Sequence, residues 1–176
     1  MPLDDLREMP GHLIRRAQQI SSSFFVEETR STDLTPVQYA SLIAIREHPG
    51  IDATSLSNLI AFDRATIGGV VERLETKDLV RREPSNEDKR IKRLYLTPSG
   101  LQALDGLEHS VEKVQERLLS AFDDTERALF MRLLRQLVET HNPSLPASVQ
   151  VTTLPFREKA GRAVARRTKA AGTTAP

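Results

Sequence analysis

Residues 88–100 read DKRIKRLYLTPSG, a charged turn that runs into an alternating strand pattern and then into a helix start. Lys92 and Tyr95 alternate with apolar residues, which is the period of a β-strand. Residues 79–83, just upstream, have the composition of a partner strand. The second strand is expected to end before Pro98, because proline is favoured at the first position of a helix. The stretch therefore predicts a β-hairpin with a cationic tip.

Two short helices are predicted directly before this hairpin. Asp52 precedes one apolar-periodic segment and Asp63 precedes the next, and aspartate is a favoured residue at helix N-termini. A third helix is predicted to start at residues 35–38, where Thr35 and Gln38 fit a capping box. Helix, turn, helix and basic hairpin together outline a winged helix-turn-helix, which is a DNA-reading module.

Long amphipathic helices flank this head on both sides. Apolar residues recur at three- and four-residue steps over residues 10–30 and 98–122, and Asp123 caps a final helix that is expected to stop near residue 142. These apolar stripes have too few partners within one chain and would stay in contact with water in a monomer. We therefore expect a two-fold homodimer in which the terminal helices of both chains interlock.

The expected fold is mainly α with a small β-hairpin. It consists of a winged helix-turn-helix DNA-binding head, residues 35–97, and a helical dimerisation region, residues 10–34 and 98–142. Residues 143–176 are rich in Pro, Gly, Ser, Thr and Ala and are expected to form a basic, flexible tail.

The composition excludes several classes of protein. The chain contains no cysteine, so disulfides and thiolate metal sites are excluded. Its apolar residues form no run of membrane-spanning length, and its N-terminus lacks the pattern of an export signal. We therefore expect a cytoplasmic protein that does not associate with membranes.

Positive charge is concentrated in two segments although the net charge is only +1. Residues 79–97 carry six Lys or Arg against three acids, and residues 157–176 carry six against one. Neutralisation of phosphates requires such local concentration rather than a high overall charge. For the tail, the sequence leaves open both a phosphate-contacting role and a purely solvating one.

The second helix of the helix-turn-helix would enter the major groove by its N-terminal part. Arg64 can donate two hydrogen bonds to a guanine edge or hold a phosphate, and Thr66 can touch a thymine methyl group or a phosphate. Gly68 and Gly69 each cost roughly 1 kcal/mol in a helix relative to alanine. Close approach of DNA or of another helix would explain them, and tight helix packing within the chain is the alternative.

At the hairpin tip, Asp88 can orient Arg90 so that its guanidinium points into the narrow minor groove. The alternative is a charged turn that is only solvated. The residues predicted to contact DNA come from the helix and from the tip, and they are Arg64, Ala65, Thr66, Gly68, Arg73, Asp88, Lys89, Arg90 and Lys92.

Three stretches carry a resemblance to a known family. Residues 88–100 (DxR, then LxLTxxG), residues 34–39 (LTPVQY) and residues 63–80 (DRAT, then VxxLxxKxLV) resemble the wing, the second-helix start and the recognition helix of MarR-family transcription regulators. The resemblance covers residues 10–142. It implies a winged-helix homodimer that binds a pseudo-palindromic operator in double-stranded DNA, usually as a repressor released by a small ligand and without a cofactor.

A finer resemblance points to a class of effector. Residues 61–74, AFDRATIGGVVERL, and residues 11–16, GHLIRR, are similar to those of regulators of nicotinate degradation, of the NicR and BpsR kind. In that subgroup the ligand is 6-hydroxynicotinate, a small aromatic acid. The resemblance therefore implies a small aromatic carboxylate as the effector of this chain, in a pocket between the dimer helices and the reading head.

An aromatic carboxylate needs a cation or an imidazole at one end and an apolar slot for its ring. We expect Arg15 or Arg16 to bind the carboxylate, His12 and Tyr39 to hydrogen-bond the ring substituent, and Leu42 to border the ring. The alternative is that Arg15 and Arg16 form ordinary salt bridges with acids of the partner chain and that Tyr39 belongs to the core.

The sequence does not favour an enzyme. Its four histidines are scattered over separate predicted helices, and no catalytic triad, phosphate loop or metal-ligand spacing occurs. Two other functions compete with the regulator. One is a winged-helix module that binds protein, and the other is an architectural protein that binds DNA without sequence preference.

Overall fold

Seven helices and three short strands make up residues 3–142, the part of the chain that the computed structural model describes. The predicted basic tail, residues 143–176, lies outside the described residues. In chain order the elements are α1 (Leu3–Arg7), α2 (Pro10–Glu28), α3 (Pro36–Glu47), β1 (Ile51–Asp52), α4 (Ala53–Leu59), α5 (Arg64–Thr76), β2 (Val80–Pro84), β3 (Lys92–Leu96), α6 (Pro98–Leu118) and α7 (Asp124–His141).

The helices begin where their capping residues predict. At α3, the Gln38 N–H donates to Thr35 Oγ1 (3.3 Å) while the Thr35 N–H donates to Gln38 Oε1 (3.0 Å), which completes the capping box. Asp123 caps α7 in the same reciprocal way. Asp52 and Asp63 accept backbone hydrogen bonds at the starts of α4 and α5. Local capping interactions therefore determine where both helices of the helix-turn-helix, α4 and α5, begin.

The sheet is antiparallel with strand order β1-β3-β2, so the predicted hairpin gains a third strand. Val80 pairs with Leu96 and Pro84 with Lys92 along the hairpin, and Ile51 pairs with Leu94 on the other edge of β3. Strand β1 has only two residues, so it is too short to show the alternating pattern by which a strand is recognised in a sequence. It ties the start of α4 to the hairpin.

One hydrophobic core lies between the helices of the head, the sheet and the first half of α6. Its members are largely the inward positions predicted from the helical periodicity. The most deeply buried side chains of this core are Leu42, Ile45, Leu56, Ile67, Val70, Val71, Leu74, Leu94 and Leu107.

The junction between the hairpin and α6 is tightly hydrogen-bonded. The Thr97 N–H donates to the Leu79 carbonyl (3.1 Å), and the Thr97 hydroxyl donates to the Asp78 carbonyl (2.5 Å) while accepting from the Gly100 N–H (3.0 Å). A Cβ at Gly100 would stand 2.1 Å from the Leu79 carbonyl oxygen. The Leu-Thr-x-x-Gly pattern therefore has a steric cause, since only glycine lets α6 start this close to the backbone of Leu79, directly before β2.

Helices α2 and α6 pack against each other outside the head. Arg117 of α6 forms ion pairs with Glu27 (2.9 Å) and Glu28 (2.6 Å), and its guanidinium lies 4.1 Å from the centre of the Phe24 ring. The hydrogen bond that Arg117 donates to Glu27 is the main cause that lowers the pKa of the Glu27 carboxyl. This cluster fixes the C-terminal half of α2 beside the end of α6.

The ends of two helices differ from the sequence prediction. Helix α2 ends at Glu28 rather than near residue 30, and α6 ends at Leu118 rather than near Phe122. Residues 119–122 form a turn, in which Phe122 stacks on Phe130 of α7 at 5.2 Å between ring centres. The apolar periodicity continues past the helix end because Phe122 packs on the next helix instead of extending the stripe of α6.

Large apolar side chains of α2 and α7 stay exposed in the single chain. Helix α7 has no buried residue at all. The exposed large apolar residues of these two helices are Leu13, Ile14, Ile20, Val26, Leu129, Phe130, Leu133, Leu134, Leu137 and Val138. Among the described helices, none combines the length and apolar character that crossing a membrane requires.

Candidate nucleic-acid interface

A cleft of about 400 Å³ separates the recognition helix α5 from the hairpin β2–β3, which forms the wing. We call it the helix–wing cleft. Two acids, Asp52 and Glu72, lie among its lining residues. Its lining also includes four cationic side chains, which are Arg64, Arg82, Arg90 and Lys92. The cleft therefore presents a net positive surface between the two elements that a winged helix uses to hold a duplex.

The N-terminal turn of α5 is organised by its cap. The Thr66 N–H donates to Asp63 Oδ1 (2.8 Å), and the Thr66 hydroxyl donates to Asp63 Oδ2 (2.5 Å). Both bonds lower the pKa of the Asp63 carboxyl, and the bond from the Thr66 hydroxyl has the larger effect. Because the hydroxyl hydrogen of Thr66 is used within the turn, the methyl group is the part of this side chain best placed for a base contact. Arg64 and Ala65 are exposed beside it.

Gly68 lies one turn after Arg64 on the wall of the cleft. Among residues 3–142, no atom other than those of its own helix backbone and chain neighbours lies within 4 Å of a Cβ added at Gly68. At Gly69 the nearest atoms belong to the flexible Arg73 side chain, at 3.6 Å. Tight packing against another helix within residues 3–142 therefore does not explain either glycine. At Gly68 the missing side chain leaves the wall of the helix–wing cleft open to a molecule outside the chain.

The wing tip is held by a turn centred on Asp88. Its carboxylate accepts from the Arg90 backbone N–H (2.9 Å), and its carbonyl accepts from the Ile91 N–H (2.9 Å). The sequence predicted that Asp88 orients Arg90, and in the structure Asp88 contacts the backbone N–H of Arg90 and so shapes the turn that carries it. Ile91, beside Arg90, is an exposed apolar residue on the cleft wall.

Some cations of the head are paired with acids and others are not. Arg81 pairs with Glu83, Arg82 with Glu75 (2.9 Å), and Arg93 with Glu87 (3.8 Å). Within residues 3–142, the unpaired cationic side chains of α5 and the wing are Arg64, Arg73, Lys89, Arg90 and Lys92. These five are the cations that the sequence assigned to DNA.

The structure brings part of the predicted DNA-contact set together. Arg64, Gly68, Arg90 and Lys92 all line the helix–wing cleft. The other predicted members are exposed outside its lining, and they are Ala65, Thr66, Arg73, Asp88 and Lys89.

The predicted ligand residues are more scattered. His12, Arg15 and Arg16 lie on the first half of α2, where Arg16 donates to Gln19 Oε1 (3.0 Å). Tyr39 contacts the second half of α2 through Phe25, at 5.7 Å between ring centres. With a rise of about 1.5 Å per residue, Arg16 and Phe25 are roughly 13 Å apart along the helix. One chain therefore does not gather the cations and Tyr39 at one point.

Tyr39 borders an apolar slot of about 470 Å³ between α3 and the end of α4. Burial raises the pKa of Tyr39, which keeps its phenol protonated and able to donate. Leu42, three residues after Tyr39 on α3, is fully buried in the core and does not line this slot, so the structure does not place it against a ligand ring there. The other lining residues of the slot are Ala40, Ile43, Ala44, Glu47, His48, Leu59 and Ile60.

Comparison with known proteins agrees with this geometry. The model of the MarR family matches residues 34–92. The repressor NicR of Pseudomonas putida is 33 % identical over 143 residues, which are 79 % of this chain and 90 % of NicR. The chain belongs to the MarR family.

Two solved structures support the membership of the chain in the MarR family. A probable transcriptional regulator from Pseudomonas aeruginosa has a TM-score of 0.72 and 30 % identity, over 75 % of this chain and 98 % of that one. BpsR of Bordetella bronchiseptica, whose DNA binding is regulated by 6-hydroxynicotinic acid, has a TM-score of 0.71 and 28 % identity, over 76 % and 95 %. This MarR-family protein is a transcriptional regulator, and its named relatives are regulators rather than enzymes, as predicted.

Sequence reasoning missed the ion pairs that tie the recognition helix of this MarR-family protein to its surroundings. Glu75 reaches Arg82 of the wing, and Lys77 donates to the backbone carbonyl and the carboxylate of Asp33 (3.1 Å to Oδ2) in the α2–α3 loop. The partners lie on different elements, 7 and 44 residues apart, so the periodicity of a single helix or strand does not reveal them. The sequence signal for them was limited to a concentration of charged residues of both signs at the end of the predicted helix.

Proposed function

We propose that this protein is a homodimeric repressor that binds a pseudo-palindromic operator and is released by a small aromatic carboxylate. The helix–wing cleft is the single observation that carries the DNA-binding part. Its walls bring Arg64 of the recognition helix and Arg90 and Lys92 of the wing to one surface without acid partners among residues 3–142. Unpaired cations on two elements of a winged helix are what phosphate and groove contacts require.

In this proposal residues 35–97 read DNA and residues 10–34 and 98–142 form the dimer. The N-terminal half of α5 enters the major groove with Arg64, Ala65, Thr66 and Gly68 foremost, while Arg90 reaches the adjacent minor groove. Arg73, Lys89 and Lys92 contact phosphates, and Asp88 holds the tip in shape. The two heads must stand about 34–36 Å apart to occupy successive major grooves.

The effector is the finer part of the proposal. NicR is named as a repressor, and the BpsR structure concerns regulation by 6-hydroxynicotinic acid. Both names support a nicotinate-type aromatic acid as the ligand of this chain. The apolar slot beside Tyr39 has room for one aromatic ring and holds a protonated phenol at its edge.

The carboxylate needs a cation, and we assign that role to Arg15 or Arg16, with His12 beside them. These side chains are exposed or half-buried on the part of α2 whose apolar residues are uncovered in the single chain. A second chain that covers this face would bring further helices to the same place. The ligand site would then be completed by the dimer, between the dimer helices and the reading head.

Release of operator DNA by the effector follows from the thermodynamic linkage between the two binding equilibria. An effector that weakens operator binding must bind the DNA-bound protein more weakly than the free protein by the same factor. A ligand that favours a dimer with a different spacing of heads has this effect, because it stabilises a form that cannot occupy both half-sites.

The test is fluorescence anisotropy with duplexes from the promoter of the protein's own gene and with random duplexes of equal length. We expect a strong preference for one promoter segment, and loss of that binding with 6-hydroxynicotinate but not with 2-hydroxynicotinate. Binding of both duplexes alike would mean an architectural protein, and binding of neither would leave the protein-interaction module. Specific binding that no aromatic acid affects would remove the effector assignment and keep the regulator.

Variants locate the effector site. His12→Ala, Arg15→Ala, Arg16→Ala and Tyr39→Phe are each compared with Arg135→Ala, which removes an exposed cation of α7. We expect weaker release by 6-hydroxynicotinate for at least one cation variant and for Tyr39→Phe, with Arg135→Ala unchanged. Equal release by all variants would place the site elsewhere.

A further inference from the structure

The helix–wing cleft contains a fourth cation that is held differently from the others. Arg82 lines the cleft with Arg64, Arg90 and Lys92, but its Nε lies 2.9 Å from Glu75 Oε2. The two side chains are 32 % and 33 % exposed, so the pair is partly shielded from water. The pair also joins the last turn of the recognition helix to the first half of the wing.

The arrangement of the strands explains why Arg82 faces the cleft. Side chains alternate between the two faces of a strand, and Arg82 pairs in register with Leu94. Leu94 and Lys92 also line the cleft, which identifies the inner face of the wing. Arg81 and Glu83 belong to the outer face, where Arg81 lies 4.8 Å from the centre of the Tyr95 ring.

Removing Arg82 from its partner would be unfavourable near DNA. A phosphate that captured the Arg82 guanidinium would leave the Glu75 carboxylate without its cation, in a partly shielded position and close to other negative charges. Such a carboxylate costs free energy by desolvation and by like-charge repulsion. The ion pair is therefore expected to persist when a duplex enters the cleft.

We propose that Glu75 withholds Arg82 from phosphate, so that three cations of the cleft, rather than four, contribute to DNA binding. This inference rests on the proposed DNA-binding function and names a residue that limits its sequence-independent part. Phosphate contacts add affinity without sequence information. Glu75 is thus a positioning residue. By keeping Arg82 away from phosphate, it lowers the affinity for random DNA and favours discrimination between operator and random DNA.

The experiment is the salt dependence of binding to a random duplex, measured for the wild type, Glu75→Gln, Arg82→Gln and the double variant. The slope of log K against log salt changes by about 0.9 for each phosphate neutralised. We expect Glu75→Gln to steepen the slope by about 0.9 per wing and to raise random-duplex affinity several-fold. Arg82→Gln alone should leave the slope unchanged, and in the double variant it should restore the wild-type slope.

Glu83→Gln is the matched control, because it removes one acid from the same hairpin on its outer face. A slope for Glu75→Gln equal to that of Glu83→Gln would overturn the inference, and so would a shallower slope for Arg82→Gln in the wild-type background. If the wild type binds operator specifically, either result leaves the proposed function intact. Absence of DNA binding by the wild type would overturn both. Melting curves establish that every variant is folded.

Discussion

Gly68 and Gly106 are helical glycines at which an added Cβ would meet no atom within 4 Å among residues 3–142, outside the helix backbone and chain neighbours. Each costs roughly 1 kcal/mol relative to alanine in a helix. Sterics within the chain do not require glycine at either position. The two differ in place, since Gly68 lines the helix–wing cleft and Gly106 lies in the middle of α6. This difference separates a glycine kept for a ligand from one that is merely tolerated.

We predict that Gly68→Ala stabilises the fold by up to about 1 kcal/mol and weakens operator binding by about tenfold, the size of one lost contact to DNA. The added methyl group occupies space that the duplex needs. Gly106→Ala should give the same stabilisation with unchanged DNA binding. Thermal melting and anisotropy measure both quantities, and full operator affinity in Gly68→Ala would show that nothing approaches there.

Gly100 is a glycine of the opposite kind. Its added Cβ would stand 2.1 Å from the Leu79 carbonyl oxygen, which belongs to backbone that cannot move freely. We predict that Gly100→Ala destabilises the protein by about 3 kcal/mol, as overpacking of a tight contact does. Chemical denaturation measures the loss, with Gly106→Ala of the same helix as the control. If Gly100→Ala proved no less stable than Gly106→Ala, α6 would be moving away from Leu79 without a cost in free energy.

Among the elements, α5 depends on its N-terminal cap. The pKa of Asp63 is lowered by the Thr66 hydroxyl and by backbone N–H groups. The native state therefore favours the charged carboxylate, and its contribution is fully present above the unfolded pKa of about 3.9. We predict that the wild type melts at a higher temperature than Asp63→Ala at neutral pH, and that the difference shrinks as the pH falls below about 3.9.

Two comparisons make this prediction specific. Thr66→Val removes the hydroxyl that contributes most to the lowered pKa and should weaken the pH dependence of the Asp63 effect. Asp63→Asn keeps a side chain that is a good cap without the charge. A difference in melting temperature that stays constant down to pH 2 would show that hydrogen bonding to Asp63 does not depend on its charge.

The elements that the sequence predicts well are those whose signals are local. The caps at Thr35, Asp63 and Asp123 each involve residues within three positions of one another, and the structure confirms them. The two-residue strand β1 and the end of α6 depend on packing with distant residues, so periodicity does not reveal them. The same distinction applies to the cleft.

Sequence spacing identified the unpaired cations Arg64, Arg90 and Lys92 through the helix-turn-helix outline. It left Arg82 out of the predicted DNA contacts but did not reveal the ion pair with Glu75, because that partner lies on another element. Residues that act alone against DNA can be found from a motif, whereas residues held by a tertiary ion pair need the fold. The slot beside Tyr39 also needs the fold, since α3 and α4 both line it.

At the scale of the whole molecule, the exposed apolar face of α7 calls for a partner. Leu133 and Leu137 are 49 % and 44 % exposed, with other large apolar residues along the same side of the helix. Soluble monomers rarely leave so large a continuous apolar patch in water. An interface between two copies of the chain would also set the distance between the two reading heads, on which operator binding depends.

We predict that Leu133→Glu converts the dimer to a monomer and abolishes specific operator binding. A carboxylate placed without a partner in the interface costs about 3–5 kcal/mol, which is enough to dissociate a dimer at micromolar concentration. Sedimentation measures the mass, and anisotropy measures the binding. Ala128→Glu is the control, because Ala128 is exposed on the side of α7 away from the apolar stripe.

The two variants carry the same added charge on the same helix, so only the face differs. If both remain dimers that bind operator, α7 is not the interface and its apolar side must be covered otherwise. If Leu133→Glu is monomeric yet protects a full two-fold operator, the reading heads do not need the dimer for their spacing. If the monomers bind half-sites weakly and bind random DNA equally well, operator recognition depends on the α7 interface. A single head would then lack the second contact that gives discrimination.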